Sequence, residues 1–251
     1  MHLKNAWLYL YLKYSQVSIQ VRQLSKHYGK QKAVDSISFE ANPGQILGFL
    51  GPNGAGKSTT MKILTSYLKP DSGTALVCGY DTQSHSLEVR RRIGYLPENT
   101  PLYTDMYVKE FLSFVAESYG MSDVSKCVQD AIELVGLQVE QHKKIHMLSK
   151  GYQQRVGLAQ AIIHEPEVLI LDEPTSGLDP NQLAEIRELI RKLGRDKTVI
   201  LSTHIMQEVE AICDNLIIIN KGQIVANSSI VELKKQHQTD SLEEIFRKLT
   251  A

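Results

Sequence analysis

Hydrophobic and polar positions alternate in short runs at the start of the chain. Residues 19–21, 36–40 and 46–50 each read as a β-strand. A helix is predicted over 57–68, ended by Lys69-Pro70-Asp71-Ser72-Gly73, where Pro and Gly act as stop signals. Residues 74–78 and 93–96 are further strands. Over 105–119 the period becomes helical, with Met106, Val108, Phe111, Leu112 and Val115 on one face, and a second helix is predicted over 124–135. The segment from about 100 to 165 is thus mostly helical, inside a chain that otherwise alternates strand and helix. Residues 168–171 are wholly apolar, the pattern of a strand buried on both faces, and 198–202 form another buried strand. Residues 181–193 make a helix with Pro180 suited to its first turn. Residues 216–220 and 223–226 flank Lys221-Gly222 as a hairpin, and two short helices follow. The pattern is that of one large α/β domain carrying a small helical insertion.

The strand at 46–50 runs into Gly51-Pro52-Asn53-Gly54-Ala55-Gly56-Lys57-Ser58-Thr59, a P-loop of the form G-x-x-x-x-G-K-[ST]. Average residue usage gives an accidental match in a chain this long about 1% of the time. Glycines let successive backbone N–H groups converge on one centre, and the N-terminus of the following helix adds its dipole. Lys57 supplies a point charge for the β- and γ-phosphates, and the Ser58 hydroxyl can ligate Mg²⁺.

A phosphate site of this kind needs a metal ligand on a neighbouring strand and a group to activate water. Asp172 and Glu173 follow the apolar run 168–171 and supply both: Asp172 for the Mg²⁺ hydration shell, Glu173 as general base. Alone, an Asp-Glu pair after an apolar run reads as a strand surfacing. With a P-loop upstream, the catalytic reading replaces it.

Leu148-Ser149-Lys150-Gly151-Tyr152-Gln153-Gln154-Arg155 resembles the signature motif of ATP-binding cassette (ABC) ATPases. Ser149 suits the N-cap of a helix, and Ser149, Gly151 and that helix N-terminus form a second anion site. The resemblance covers residues 17–226 and implies a P-loop ABC ATPase fold: a RecA-like core, an antiparallel β subdomain and an inserted helical subdomain. It implies head-to-tail dimerisation, in which the signature of one subunit (Ser149, Gly151, Tyr152) completes the P-loop site of the other around ATP and Mg²⁺. On the same resemblance, Tyr28 stacks on adenine, Asp179 of Ser176-Gly177-Leu178-Asp179 belongs to the loop that links the two sites, and His204 contacts the γ-phosphate. Taken singly, Tyr28 reads as a strand-end aromatic and His204 as a structural histidine.

Two positions depart from the family pattern. Glu98 stands where many members carry a Gln that touches Mg²⁺ or the attacking water; a carboxylate remains an oxygen ligand, and a plain polar loop residue is the alternative. Lys150 replaces a usual Gly and adds positive charge.

Composition narrows the class. Lys+Arg and Asp+Glu balance at 28 each, which gives no electrostatic case for nucleic acid. Ribosome-type cassette proteins carry two cassettes and DNA-repair members a long coiled coil; here one cassette is present, with about 90 residues between P-loop and signature. The expectation is a transporter ATPase, homodimeric, docked on integral-membrane permease subunits at the inner face of the cell membrane. No apolar run is long enough to span a bilayer, that at 7–12 included. The chain's ending at 240–250, with 93–98 and 148–155, resembles the subunits that drive ABC-2-type exporters, and 94–108 resembles more narrowly the ATPase subunit of bacteroidete gliding motility. Cys78, Cys127 and Cys213 read as buried free thiols, and Arg90-Arg91-Arg92 as a solvated surface before a strand, with a coupling contact as the alternative. Residues 227–251 read as a short C-terminal helical tail. Residues 1–16 read as an extension foreign to the domain, with translation expected to start at Val17 and a native extension as the alternative.

Overall fold

The alternating residues that open the domain pair into a four-stranded antiparallel sheet of order β2-β1-β4-β5, built from β1 (Ile19–Tyr28), β2 (Gln31–Ala41), β4 (Ser72–Val77) and β5 (Tyr80–Asp81). The computed structural model describes residues 17–251, so the reading of 1–16 lies outside the described residues. β1 and β2 are longer than the hydrophobic pattern suggests. Both break register near positive-φ residues, Gln23 and Ser36, which interrupt the alternation that a sequence reading relies on.

The second sheet has six strands in the order β10-β9-β3-β8-β7-β6. These are β3 (Ile46–Leu50), β6 (Ile93–Leu96), β7 (Val168–Asp172), β8 (Thr198–Thr203), β9 (Asn215–Asn220) and β10 (Gln223–Ser229). All neighbours are parallel except β9 with β10. Every residue of β3, β7 and β8 is buried, because both faces of the sheet are covered. On one face Phe39, Phe49, Met61, Ile170 and Ile200 pack between the two sheets. On the other, helices cover Leu169, Leu171, Val199 and Leu201.

Register aligns the strand ends. Leu50 pairs with Thr203, Asp172 with Ser202, and Leu96 with Leu171, so four loops leave the sheet along one edge. In parallel α/β sheets, ligands bind at that carboxyl edge.

The helices are α1 (Lys57–Leu64), α2 (Ser86–Arg92), α3 (Val108–Ser118), α4 (Val124–Val135), α5 (Lys150–Ile162), α6 (Pro180–Gly194), α7 (Met206–Ile212), α8 (Ile230–His237) and α9 (Leu242–Thr250). α1 stops before residue 68, since Ser66 adopts φ +59° and the Thr65 hydroxyl folds back onto the Met61 carbonyl. α3 starts at Val108, not 105, after a turn in which the Tyr107 N–H reaches the Glu110 side chain. α4 is capped at both ends: Asp123 accepts from the Lys126 N–H, and Gly136 closes it with φ +72°. Burying Phe111, Leu112 and Ile132 in this helical layer contributes about 1.5–3 kcal/mol each.

α2 places the three arginines in its last turn, where cations complement the helix dipole; Arg90 and Arg91 are exposed, as the surface reading expects, and Arg92 is half-buried. Arg92 also bonds Glu88 at 3.2 Å and lies 4.2 Å over the Tyr80 ring. The three cysteines are only partly buried, not fully buried as expected. No helix among the described residues is long and apolar enough to cross a membrane.

Candidate functional site

The P-loop leaves β3 and winds directly into α1. Two glycines fix its path. A Cβ on Gly51 would lie 2.5 Å from the Ile219 carbonyl oxygen, and Gly56, at φ +111°, presses against the Ala33 carbonyl. The turn of the C-terminal hairpin braces the loop from below, the Gly222 N–H donating to the Ala55 carbonyl at 2.9 Å. Ala55 is buried in that support, while Asn53 and Gly54 are exposed at the rim. Ser58 and Thr59 stand half-buried in the first turn of α1.

Lys57 is turned into the protein, only 6% exposed. Its Nζ donates to the Gly51 carbonyl at 2.7 Å and the Pro52 carbonyl at 3.3 Å, and lies 3.8 Å from Glu173 Oε1. Burial pulls its pKa down; the charges of Glu173, Asp172 and Glu98 oppose that pull without cancelling it. Glu98 itself is exposed, in the loop after β6, close enough for its charge to be felt at Lys57.

Glu173 follows β7 with φ +52°, a conformation that non-glycine residues adopt at a cost and that clusters at functional sites. Its N–H donates to the Ser202 carbonyl at 2.9 Å. Both its carboxylate oxygens lie 2.9 Å from His204 Nδ1. A carboxylate only accepts, so Nδ1 carries the proton in that contact. Lys57, the Asp172-Glu173 pair and His204, from three distant segments of the sequence, therefore meet along one sheet edge.

Among the described residues, no group of three or more His, Cys, Asp or Glu forms a cage for a metal ion. Mg²⁺ does not require one, since it keeps several waters and is held by one or two carboxylates together with phosphate oxygens. Asp172 fits that role: it is 2% exposed and its Oδ1 is buried with no hydrogen-bond partner. An orphaned buried acceptor is costly unless something comes to use it.

The remaining candidates lie apart. Ser149 caps α5, its hydroxyl accepting from the Tyr152 N–H at 3.5 Å, and both side chains face outward. Gly151 packs on the Gln182 side chain and Lys150 lies against Gly177, so the signature turn rests on the loop that precedes α6. Asp179 caps α6, accepting from the Asn181 and Gln182 N–H groups at 3.0 Å each. Tyr28 is 50% exposed at the tip of the first hairpin. No hydrogen bond or ion pair among the described residues joins Ser149, Gly151 or Tyr152 to the P-loop. The P-loop and the helix N-terminus capped by Ser149 are thus separate surfaces of one chain.

Sequence reasoning missed Thr175, Thr203 and Glu208, which bond one another behind Glu173. A glutamate four residues after His204 gives no sign in sequence that it is buried.

The ABC transporter family profile matches residues 34–176. The uncharacterized ABC transporter ATP-binding protein YxlF of Bacillus subtilis is 40% identical over 225 residues, covering 88% of this chain and 74% of that protein. The bacitracin transport ATP-binding protein BcrA of Bacillus licheniformis is 38% identical over 222 residues, covering 88% and 72%. A solved ATP-binding subunit of an ABC transporter superposes with a TM-score of 0.85 at 29% identity, covering 94% of this chain and all of the other. With the P-loop, the Asp-Glu pair and His204 gathered on one edge, the chain belongs to the ABC transporter family and is an ATP-hydrolysing subunit of such a transporter.

Proposed function

We propose that this subunit drives an ABC-2-type exporter through ATP-dependent closure of a head-to-tail homodimer. The observation that carries the reading is that the P-loop and the Ser149-capped helix N-terminus, each suited to an anion, do not meet within one chain. Two copies arranged head to tail bring each Ser149 turn onto the other copy's P-loop, which satisfies both surfaces at once. ATP binds with its phosphates in the P-loop nest and adenine on Tyr28. Lys57 leaves the Gly51 and Pro52 carbonyls for the phosphates, and His204 turns to the γ-phosphate. Glu173 takes the proton of the attacking water. Asp172 and Ser58, with Glu98 nearby, would hold Mg²⁺, which supplies charge neutralisation on the β- and γ-phosphates when bound. Loss of the γ-phosphate removes the bridge between subunits, and the dimer opens.

The coupling partner is a permease. A groove of about 450 Å³, lined by Tyr67, Arg90, Tyr95, Tyr119 and Gln160, lies where α3 and α5 meet α1 and β6. Ser66 Oγ and Gln160 Oε1 are buried there without hydrogen-bond partners. This groove adjoins the strand that leads to the Glu98 loop, so a permease segment seated in it would be linked to the nucleotide site. Export is supported by the relationship to a Nod factor export ATP-binding protein of Ralstonia nicotianae, 37% identical over 218 residues. The narrower likeness to gliding-motility subunits rests on residues 94–108.

The test is affinity capture of the Glu173→Gln protein from detergent-solubilised native membranes with ATP, followed by mass spectrometry. A multi-span permease in near-equal amount is expected, and it should be lost from an Arg90→Glu protein that still binds ATP. Recovery of ribosomal or DNA-repair proteins with no membrane protein would overturn the transporter assignment for this chain.

A further inference from the structure

Glu208, in the first turn of α7, has no exposed surface. A carboxylate so placed is strongly unfavourable unless its oxygens are satisfied. No cationic side chain among the described residues pairs with it. What it does have is the N-terminal end of α7 and two hydroxyl donors. Thr175 donates to Oε1 in a short contact, and Thr203 donates to Oε2 at 2.7 Å.

The two threonines belong to different loops. Thr175 lies two residues beyond Glu173, inside the turn closed by the Ser176 N–H on the Glu173 carbonyl at 3.1 Å. Thr203 ends β8 immediately before His204, and its oxygen also accepts the Ile205 N–H at 3.1 Å. The Glu208 carboxylate thus cross-links the segment that carries the base to the segment that carries the histidine.

Thr203 has a second consequence. Its oxygen lies 2.7 Å from Glu208 Oε2 and 3.5 Å from Glu173 Oε2, and a hydroxyl has one proton to give. The shorter distance assigns that proton to Glu208. Glu173 therefore keeps its Oε2 available to His204 and to water.

We infer that Glu208 is a positioning residue for ATP hydrolysis: by holding Thr175 and Thr203 it fixes the Glu173 loop against the His204 loop and keeps the Thr203 proton off the base. The inference rests on Glu173 and His204 acting as proposed above. Glu208→Gln preserves shape but replaces two acceptors with one, so a threonine loses its partner and Thr203 is free to turn its proton onto Glu173. The expected result is a fall in kcat of about tenfold, with KM and the Kd of a fluorescent ATP analogue within about twofold of wild type. Thr203→Val, which keeps the shape and removes the hydroxyl, should give a comparable fall. The double variant should be no worse than the poorer single one, because both break one linkage. A role confined to the scaffold would instead weaken nucleotide binding and thermal stability alongside turnover. That pattern overturns the inference, as do fully additive losses in the double variant. Wild-type kcat in Glu208→Gln, measured beside an inactive Glu173→Gln, overturns it and leaves the base assignment standing. Wild-type turnover in Glu173→Gln would overturn the base assignment and this inference with it.

Discussion

Replacing Glu173 with Gln should separate three effects that the wild-type side chain combines. The first is electrostatic. Glu173 Oε1 lies 3.8 Å from Lys57 Nζ, with side chains 7% and 6% exposed. At an effective dielectric of about 20, the gross attraction is about 4 kcal/mol, and salt screens little of it at this depth. Desolvation offsets much of that gain, and Lys57 keeps the Gly51 and Pro52 carbonyls after the change. The net loss without nucleotide should be about 1–2 kcal/mol, a fall in Tm of about 2–8 °C for a domain of this size. The second effect has the opposite sign. The triphosphate supplies the anion that Lys57 has lost and no longer faces a buried carboxylate, so the rise in Tm caused by ATP should exceed that of wild type. The third is chemical. Removal of a general base costs about 10²–10⁴-fold in turnover, about 3–5 kcal/mol of barrier. Phosphate release, thermal unfolding with and without ATP, and sedimentation for closed dimer read the three effects independently. Turnover at the wild-type rate would refute Glu173 as base. An unchanged or raised Tm without nucleotide would refute the ion pair as a stabilising contact.

Gly56→Ala should destabilise the protein by at least about 2 kcal/mol and abolish binding of a fluorescent ATP analogue, because the residue sits at φ +111° against the Ala33 carbonyl; retained binding would show that the loop can relocate. Glu98→Gln removes a negative charge felt by Lys57 and should tighten ATP binding about two- to threefold; identical affinity and identical rates in Mg²⁺ and Mn²⁺ would reduce Glu98 to a spectator. Acid should weaken the fold through His164, which burial holds at a pKa of about 4, below its ordinary 6.5. The unfolded chain takes up the proton first, so this contribution is complete above pH 6.5 and declines as pH falls toward 4, by at most about 1.4 kcal/mol per unit. His164→Gln should flatten that slope in denaturant melts, and an unaltered slope would place the sensitivity elsewhere.

The parts of the fold that sequence reveals are those whose signal is local. The wholly apolar strands β7 and β8 and the five-residue face of α3 each carry their period within a few residues. The P-loop and the Asp-Glu pair are local as well, since their chemistry requires adjacent residues. What escapes is short or depends on tertiary partners. α2 and α7 have seven residues each, too few to show a period, and α2 buries Val89 alone. Of the three consecutive arginines, Arg90 and Arg91 are the solvent-facing charges the sequence suggests, whereas the packing of Arg92 on Tyr80 and Glu88 shows only in the fold. Glu208 is the extreme case: glutamate is almost never fully buried, so its environment is defined by two threonines that only the sheet register places there.

Lys57 coordinated by its own loop gives the nucleotide pocket an internal stand-in for substrate. Two carbonyls and a carboxylate occupy the lysine before any phosphate arrives. Capture of ATP is therefore an exchange, and an incoming anion must replace contacts that already exist. A triphosphate can do so while also filling the backbone nest, whereas a lone phosphate ion gives up the same contacts for fewer new ones. On the proposed role of Lys57, selectivity for a phosphate chain over free phosphate thus begins at the resting lysine, before the base of the nucleotide is read.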